Sequence, residues 1–175
     1  MCIRDSLDSE LVWVGDEGHT ESSGSSHRRG LELDAKVRPM PWLTADVAGT
    51  LSEARFDNGD FVPLAPIWTL SAGVTAQHPI GVFGAVRWTQ VGARPANEDG
   101  SIQARPMALL DASVGYTFGR FTAALEGLNL LNTNWYEAQF VSSARGPGES
   151  TASDGLHVTP GNPLQVRGSL SVRLD

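Results

Sequence analysis

Four histidines, His19, His27, His78 and His157, are the first side chains that could ligate a metal or move protons near neutral pH. They fall in separate loop or turn stretches with no His-x-x-x-His spacing, a pattern that fits solvated loop residues rather than a zinc centre. Serines are plentiful, yet no Gly-x-Ser-x-Gly elbow is present, and one sequence defines no Ser/His/Asp set. The one cysteine, Cys2, leaves no disulfide framework and no Cys-rich metal site within the chain. No catalytic residue, metal ligand or cofactor follows from these residues, and the chain is not read as an enzyme.

Two other sets carry charge or aromatic chemistry. Asp34, Lys36, Asp46, Arg87, Asp111, Glu126, Arg167 and Arg173 each sit at a polar position of an alternating run. They are expected to form a hydrated, mutually paired lining, and in a sharper reading to guide an anionic or metal-chelated ligand. Arg94, Trp135, Tyr136, Arg145 and His157 lie in long polar stretches, where loops present binding groups on a rigid scaffold. Trp135 and Tyr136 read first as finishing a strand and anchoring it at an interface, and ligand contact is the less favoured reading for them. Asp57, Asp60, Glu98 and Asp99 read as solvated charges, and a divalent-ion bridge to lipid is the less favoured reading.

These side chains need elements to position them, and the pattern specifies strands. Leu31, Leu33, Ala35 and Val37 alternate strictly with Glu32, Asp34, Lys36 and Arg38. A helix would scatter those charges around its axis, whereas a strand puts them all on one face. The same grammar recurs over 42–56, 67–77, 82–92, 107–118, 121–129 and 164–174, and a weaker run, Glu10–Val14, begins the series. About eight strands and no convincing helix result. Arg38–Pro41, His78–Gly81 and Gly119–Arg120 make short connections, while Gly15–His27, Asp57–Pro66, Ala93–Pro106 and Asn132–Pro160 are long. Antiparallel order then places every tight turn at one end of the sheet and every long loop at the other. Gly146–Gly148 and Ser150–Gly155 read as mobile loop.

The apolar face is almost free of charge, as a face toward hydrocarbon must be when a basic residue at mid-bilayer costs about 2–4 kcal/mol. Trp42, Phe83, Phe118 and Phe121 flank the short turns, with Trp68 and Trp88 toward the other end, as two aromatic girdles would require. The balance of 20 acidic against 13 basic residues, net −7, argues against a nucleic-acid partner. With 41% hydrophobic residues and a mean hydropathy of −0.16, the 175-residue chain fits neither a helical membrane protein nor a disordered tail. Met1-Cys2-Ile3-Arg4-Asp5-Ser6 resembles a translated sequencing adapter, so Met1 is not expected to be a biological start.

Arg29-Gly30-Leu31-Glu32-Leu33, Pro41-Trp42-Leu43 and Val62-Pro63-Leu64-Ala65-Pro66 stand in that order along the chain. They resemble a strand-opening segment, the turn before a long strand and the Pro-x-Ala-Pro element of the C-terminal barrel region of TonB-dependent outer-membrane receptors, a resemblance that runs from Arg28 onward. Glu126-Gly127-Leu128-Asn129-Leu130-Leu131-Asn132 with Trp135-Tyr136 is similar to the family's Asn-Leu-Phe signature, with Leu131 in place of the usual Phe. Thr159-Pro160-Gly161-Asn162-Pro163 resembles the approach to the final strand. Gln165 stands where Arg is frequent, and the chain finishes Leu174-Asp175 rather than on an aromatic.

The resemblance implies an all-β, transmembrane antiparallel barrel segment, about eight C-terminal strands of a barrel of about 22. Residues 7–175 would be that segment, without the N-terminal plug. It further implies a Gram-negative outer membrane, the lipid bilayer, the receptor's own plug and the TonB energy-coupling complex as partners, and energy-coupled uptake of a nutrient such as a siderophore-type metal chelate. No cofactor is implied. The alternation itself leaves two other readings open: a complete eight-stranded barrel with a structural or adhesive role, and a soluble β-sandwich that binds carbohydrate.

Overall fold

A computed structural model describes residues 1–14, 19–148 and 150–174, with the side chains of Trp13, Val14 and His19 set aside. Its strands run in chain order as β1 (Cys2–Leu7), β2 (Glu10–Val14), β3 (His19–Ser23), β4 (Ser26–Met40), β5 (Leu43–Phe56), β6 (Trp68–Gln77) and β7 (Val82–Val91). They continue as β8 (Arg94–Pro95), β9 (Gln103–Ala104), β10 (Met107–Phe118), β11 (Phe121–Leu128), β12 (Tyr136–Ala144), β13 (Ser153–Pro160) and β14 (Gln165–Val172). No helix occurs among the described residues.

Eight strands form one antiparallel sheet in the order β1-β4-β5-β6-β7-β10-β11-β14. The expected count is right, but its first member differs. Glu10–Val14 pairs with His19–Ser23 in a separate hairpin, and Cys2–Leu7 is the strand beside β4. Tight turns at 41–42, 78–81 and 119–120 close one end of the sheet, while the longer connections leave from the other. Three of these long connections carry hairpins of their own, β2–β3, β8–β9 and β12–β13. Ser153–Gly155, expected as mobile loop, instead begins β13, which pairs with β12 from Ala144↔Ser153 to Tyr136↔Pro160. The polar character of that stretch reflects two exposed strand faces rather than a lack of structure.

Pro39 does not end β4 where it interrupts the alternation. The strand continues to Met40 with an irregularity between Val37 and Met40, which leaves the proline, lacking an N–H, outside the ladder. Gly81, at φ 95°, and Gly119, at φ 57°, adopt the left-handed conformations that the other two tight turns require.

The cross-strand register converts the alternation into two chemically distinct faces. Val37↔Ala45↔Val74↔Val86↔Ala112↔Gly127↔Val166 is one continuous row across seven strands, and Val47↔Ala72↔Trp88↔Leu110 runs beside it. No ionised residue interrupts either row. Leu33 is 61% exposed and Leu170 86% exposed, so this broad apolar surface has no protein cover among the described residues. A patch of this extent marks a surface meant for another phase or partner.

Phe118 pairs with Phe121 on this face at the tight-turn end, near Tyr116, while Trp68 and Trp88 lie toward the loop end. Phe83 departs from the expected girdle. It is opposite Gly115 and Gln77, on the charged face, where its ring occupies the space a Cβ at Gly115 would need. Trp42 sets its ring edge-on to His78, with centroids 5.0 Å apart.

The small buried core, Ala54, Phe56 and Val62 with Val12 and Ala65 against it, sits where the β2–β3 hairpin meets the loop after β5. A second tie holds the β12–β13 hairpin. The buried Gln139 side chain accepts a hydrogen bond from the Arg105 N–H at 2.8 Å and donates to the Arg105 carbonyl at 3.0 Å, a side-chain imitation of strand pairing.

Two substitutions in the complete receptor test this arrangement. Val47→Arg on the apolar face should destabilise the barrel in lipid vesicles by about 2–4 kcal/mol, while Thr75→Arg on the opposite face should be tolerated, as read from urea unfolding. Gln139→Ala leaves both Arg105 backbone groups without partners. It should cost the local structure about 1–3 kcal/mol and speed amide exchange in β12 and β13 by about fivefold or more.

Candidate functional site

The charged face is organised by one row. Register aligns Lys36 with Asp46, Asp46 with Gly73, Gly73 with Arg87, and Arg87 with Asp111, across β4, β5, β6, β7 and β10. Gly73 is the gap that makes the row work. The Arg87 guanidinium lies over it, and a Cβ there would come within 2.5 Å of Nη2. Across that gap Arg87 Nη1 and Nη2 donate to the two Asp46 carboxylate oxygens at 2.9 and 3.0 Å, and Nη1 also donates to Ser71 Oγ at 3.1 Å. This is the two-pronged geometry that guanidinium and carboxylate share.

The remaining lining residues divide into three kinds. Glu126 and Arg167 are directly opposite on β11 and β14 and form an ion pair. Asp111 accepts the Asn129 backbone N–H at 2.8 Å and so serves the turn after β11. Asp34, Lys36 and Arg173 make no side-chain ion pair among the described residues, although the Arg173 backbone N–H donates to the Arg120 carbonyl at 2.9 Å.

Asn129 is the hub of that turn. It is 4% exposed, holds φ at 50°, donates through Nδ2 to the Thr133 and Asn162 carbonyls, and accepts the Thr133 N–H. One amide thereby joins the end of β11 to the chain entering β14. An Asn tolerates the left-handed conformation while its side chain bonds nearby backbone, which explains this residue type here. Trp135 Nε1 donates to the same Asn162 carbonyl at 3.0 Å, and its indole covers Gly161.

The loop residues fall apart into scaffold and free groups. Trp135 is tied down as above, and the Tyr136 hydroxyl accepts a bond from Arg105 Nη1 at 3.0 Å while its ring lies 5.3 Å from that guanidinium. His157 stacks on Phe140 at 5.8 Å across the β12–β13 hairpin. The side chain of His19 falls outside the described residues. Arg94 and Arg145 make no ion pair among the described residues, and partial burial pushes the Arg94 guanidinium below its usual pKa. Asp57 is held below the ordinary carboxylate range by the Ser25 hydroxyl and then by His27, and Asp99 by the backbone N–H and hydroxyl of Ser101. Asn58 Nδ2 donates to Asp60 at 2.7 Å, so Asp60 and Asp99 are engaged within their own loops, whereas Asp57 is engaged by the segment that opens β4.

At the loop end a cleft of about 530 Å³ opens between the β2–β3 and β12–β13 hairpins and the 62–65 and 96–98 segments. None of the loop residues expected to contact a ligand lines it. Its charged border is instead Glu10, Arg28, Glu98 and Asp154, with Asn97, Ser142 and Ser143 beside them. Arg28 Nη2 donates to Glu10 at 2.7 Å, Ser26 Oγ donates to the other Glu10 oxygen at 2.7 Å, and Arg28 Nε is buried without a partner among the described residues. Glu10 and Arg28 are 18 positions apart and no spacing rule links them; their meeting depends on the β2–β3 hairpin folding back.

Residues 7–130, more than half of the chain, match the family described as TonB dependent receptor-like, beta-barrel. Among solved structures, the ferric yersiniabactin uptake receptor FyuA from Yersinia pestis superposes with a TM-score of 0.70 at 20% identity, covering 87% of this chain and 24% of that one. The closed form of the ferric-catecholate import receptor Fiu from E. coli K12 gives 0.70 at 16% identity, covering 97% of this chain and 24% of that one. The siderophore receptor PiuA from Acinetobacter baumannii gives 0.71 at 12% identity, with 97% and 25% covered. At these identities the likeness concerns the fold, and the chain spans about a quarter of each receptor's length. With its strand order, its two-faced sheet and this match together, the chain belongs to the TonB-dependent receptor β-barrel family.

Proposed function

We propose that this chain forms part of the wall of an outer-membrane receptor that takes up a scarce nutrient of the siderophore-type metal-chelate class. The observation that carries the reading is the partition of the sheet: uncharged rows on one face, and Lys36, Asp46, Arg87, Asp111, Glu126 and Arg167 on the other. The first face suits hydrocarbon and the second a hydrated interior. In this reading the charged face meets the receptor's own N-terminal plug, and uptake is driven through the plug by the TonB complex. The receptors of similar fold named for ferric yersiniabactin and ferric catecholates favour a metal chelate as cargo.

Arg94 and Arg145 are the loop side chains best placed to serve an anionic ligand, because their guanidinium groups are not spent on ion pairs among the described residues. Trp135 and Tyr136 are occupied in holding the loop end together. The open strand order favours a piece of a larger wall over a closed eight-stranded barrel, since β1 and β14 lie at opposite ends of it. A sandwich would need a second broad sheet facing the first, and the other described sheets have two strands each.

An open sheet edge is not tolerated in hydrocarbon, where each unpaired backbone group costs several kcal/mol. The 175 residues alone are therefore expected not to transport. Uptake of a labelled ferric catecholate chelate, measured in cells stripped of their own receptors, should appear with the complete receptor and not with the isolated segment. Uptake by the segment alone would overturn the reading. In the complete receptor, Arg87→Gln should slow uptake yet preserve heat-modifiable gel mobility, because a half-exposed ion pair contributes only about 0–1 kcal/mol. Joint loss of mobility and uptake would make the pair a folding element instead.

A further inference from the structure

On the apolar face, charge begins abruptly at one height. Along β4 the odd positions read Arg29, Leu31, Leu33, Ala35 and Val37, and along β5 they read Arg55, Glu53, Leu51, Gly49 and Val47. Pairing is unbroken from Ser26↔Phe56 to Val37↔Ala45, so Arg29, Glu53 and Arg55 share the face of Leu33 and Val47. They lie just beyond Leu31, Leu51 and Trp68, at the end from which the long loops depart.

Glu53 organises the two cations rather than cancelling them. Its Oε2 accepts Arg29 Nε and Nη2 at 2.8 and 2.6 Å, and its Oε1 accepts Arg55 Nε at 2.8 Å. Arg55 Nη1 donates to the Gly59 carbonyl at 2.8 Å, and the guanidinium lies 4.0 Å over the Phe61 ring. Both carboxylate oxygens are consumed, while Arg29 Nη1 and Arg55 Nη2 have no acceptor among the described residues. The next acid outward, Asp57, is occupied by Ser25 and His27. The Arg29 side chain is 73% exposed, so the guanidinium edge that Glu53 does not hold faces solvent.

We propose that Arg29 and Arg55, braced by Glu53, bind the phosphate group of a phosphorylated lipid headgroup in the external leaflet. The chemistry is that of planar guanidinium donors converging on phosphate oxygens. The height fits a headgroup and not an acyl chain, because the apolar rows end immediately below. The lipid is anchored beside the site by its own chains, so two free guanidinium edges suffice where a soluble anion would need a deeper cradle. This inference rests on the placement of the apolar face in hydrocarbon.

The test uses the complete receptor in vesicles carrying a minor fraction of a lipid A-type glycolipid, either phosphorylated or enzymatically dephosphorylated. Lipid co-purifying with the receptor after mild detergent extraction is then quantified. The native sequence should retain the phosphorylated form preferentially. Arg29→Gln and Arg55→Gln should each weaken that preference by about fivefold, the usual contribution of one cation at an anionic surface. Arg29→Lys should keep part of it, and Arg38→Gln at the tight-turn end should keep all of it. Equal retention of the two lipids by the native sequence, or an undiminished preference in the double Arg→Gln variant, would overturn the site. Displacement by inorganic phosphate as effectively as by the glycolipid would overturn its assignment to lipid. Heat-modifiable mobility reads insertion separately: failed insertion contradicts the hydrocarbon placement, and lost preference in inserted receptor concerns only this site.

Discussion

Inter-strand backbone pairing in a two-residue period is the constraint on which the rest of this structure depends. Once β4 is in register with β5, each side chain's face is set by parity alone, and a slip of one residue would turn every charge to the wrong side. The ladders from β4 to β14, regular apart from the β4–β5 end beyond Val37, carry that parity across seven strands. The separation of a charge-free face from one bearing Asp46 and Arg87 is therefore a property of the whole sheet and not of any one strand.

Much of this was legible in the chain because parity is a local signal. The run from Leu31 to Arg38 announces its own two faces, and the unequal connections announce which end carries loops. What the pattern could not convey was pairing at a distance. Glu10–Val14 is rich in β-branched and aromatic residues and so reads as a weaker strand of the series, yet it folds back on His19–Ser23, because a hairpin of two short strands obeys the same local rules. Phe83 read as a girdle aromatic from its nearness to a turn, and only its register opposite Gly115 puts it on the charged face.

The functional residues follow the same division. Asp46 and Arg87 stand out as polar positions, but their contact requires Gly73 on the strand between them, a vacancy visible in the sequence only once the register is known. The Asn129 hub was partly readable, since the resemblance flagged its segment, though not that Asp111 would be drawn into it. The cleft between the hairpins lay beyond reach, because Glu10, Arg28, Phe140 and Asp154 come from separated segments with no spacing to connect them. Loop residues chosen for their chemistry proved to include structural ties, Trp135 and Tyr136 among them.

The most direct test is a nitroxide scan along β4 in the complete receptor reconstituted in lipid, from position 31 to position 37. Collisions with oxygen, which partitions into hydrocarbon, should peak at 31, 33, 35 and 37, and collisions with a water-soluble nickel chelate at 32, 34 and 36. An inverted phase, or uniform access of the nickel chelate to both sets, would contradict the account.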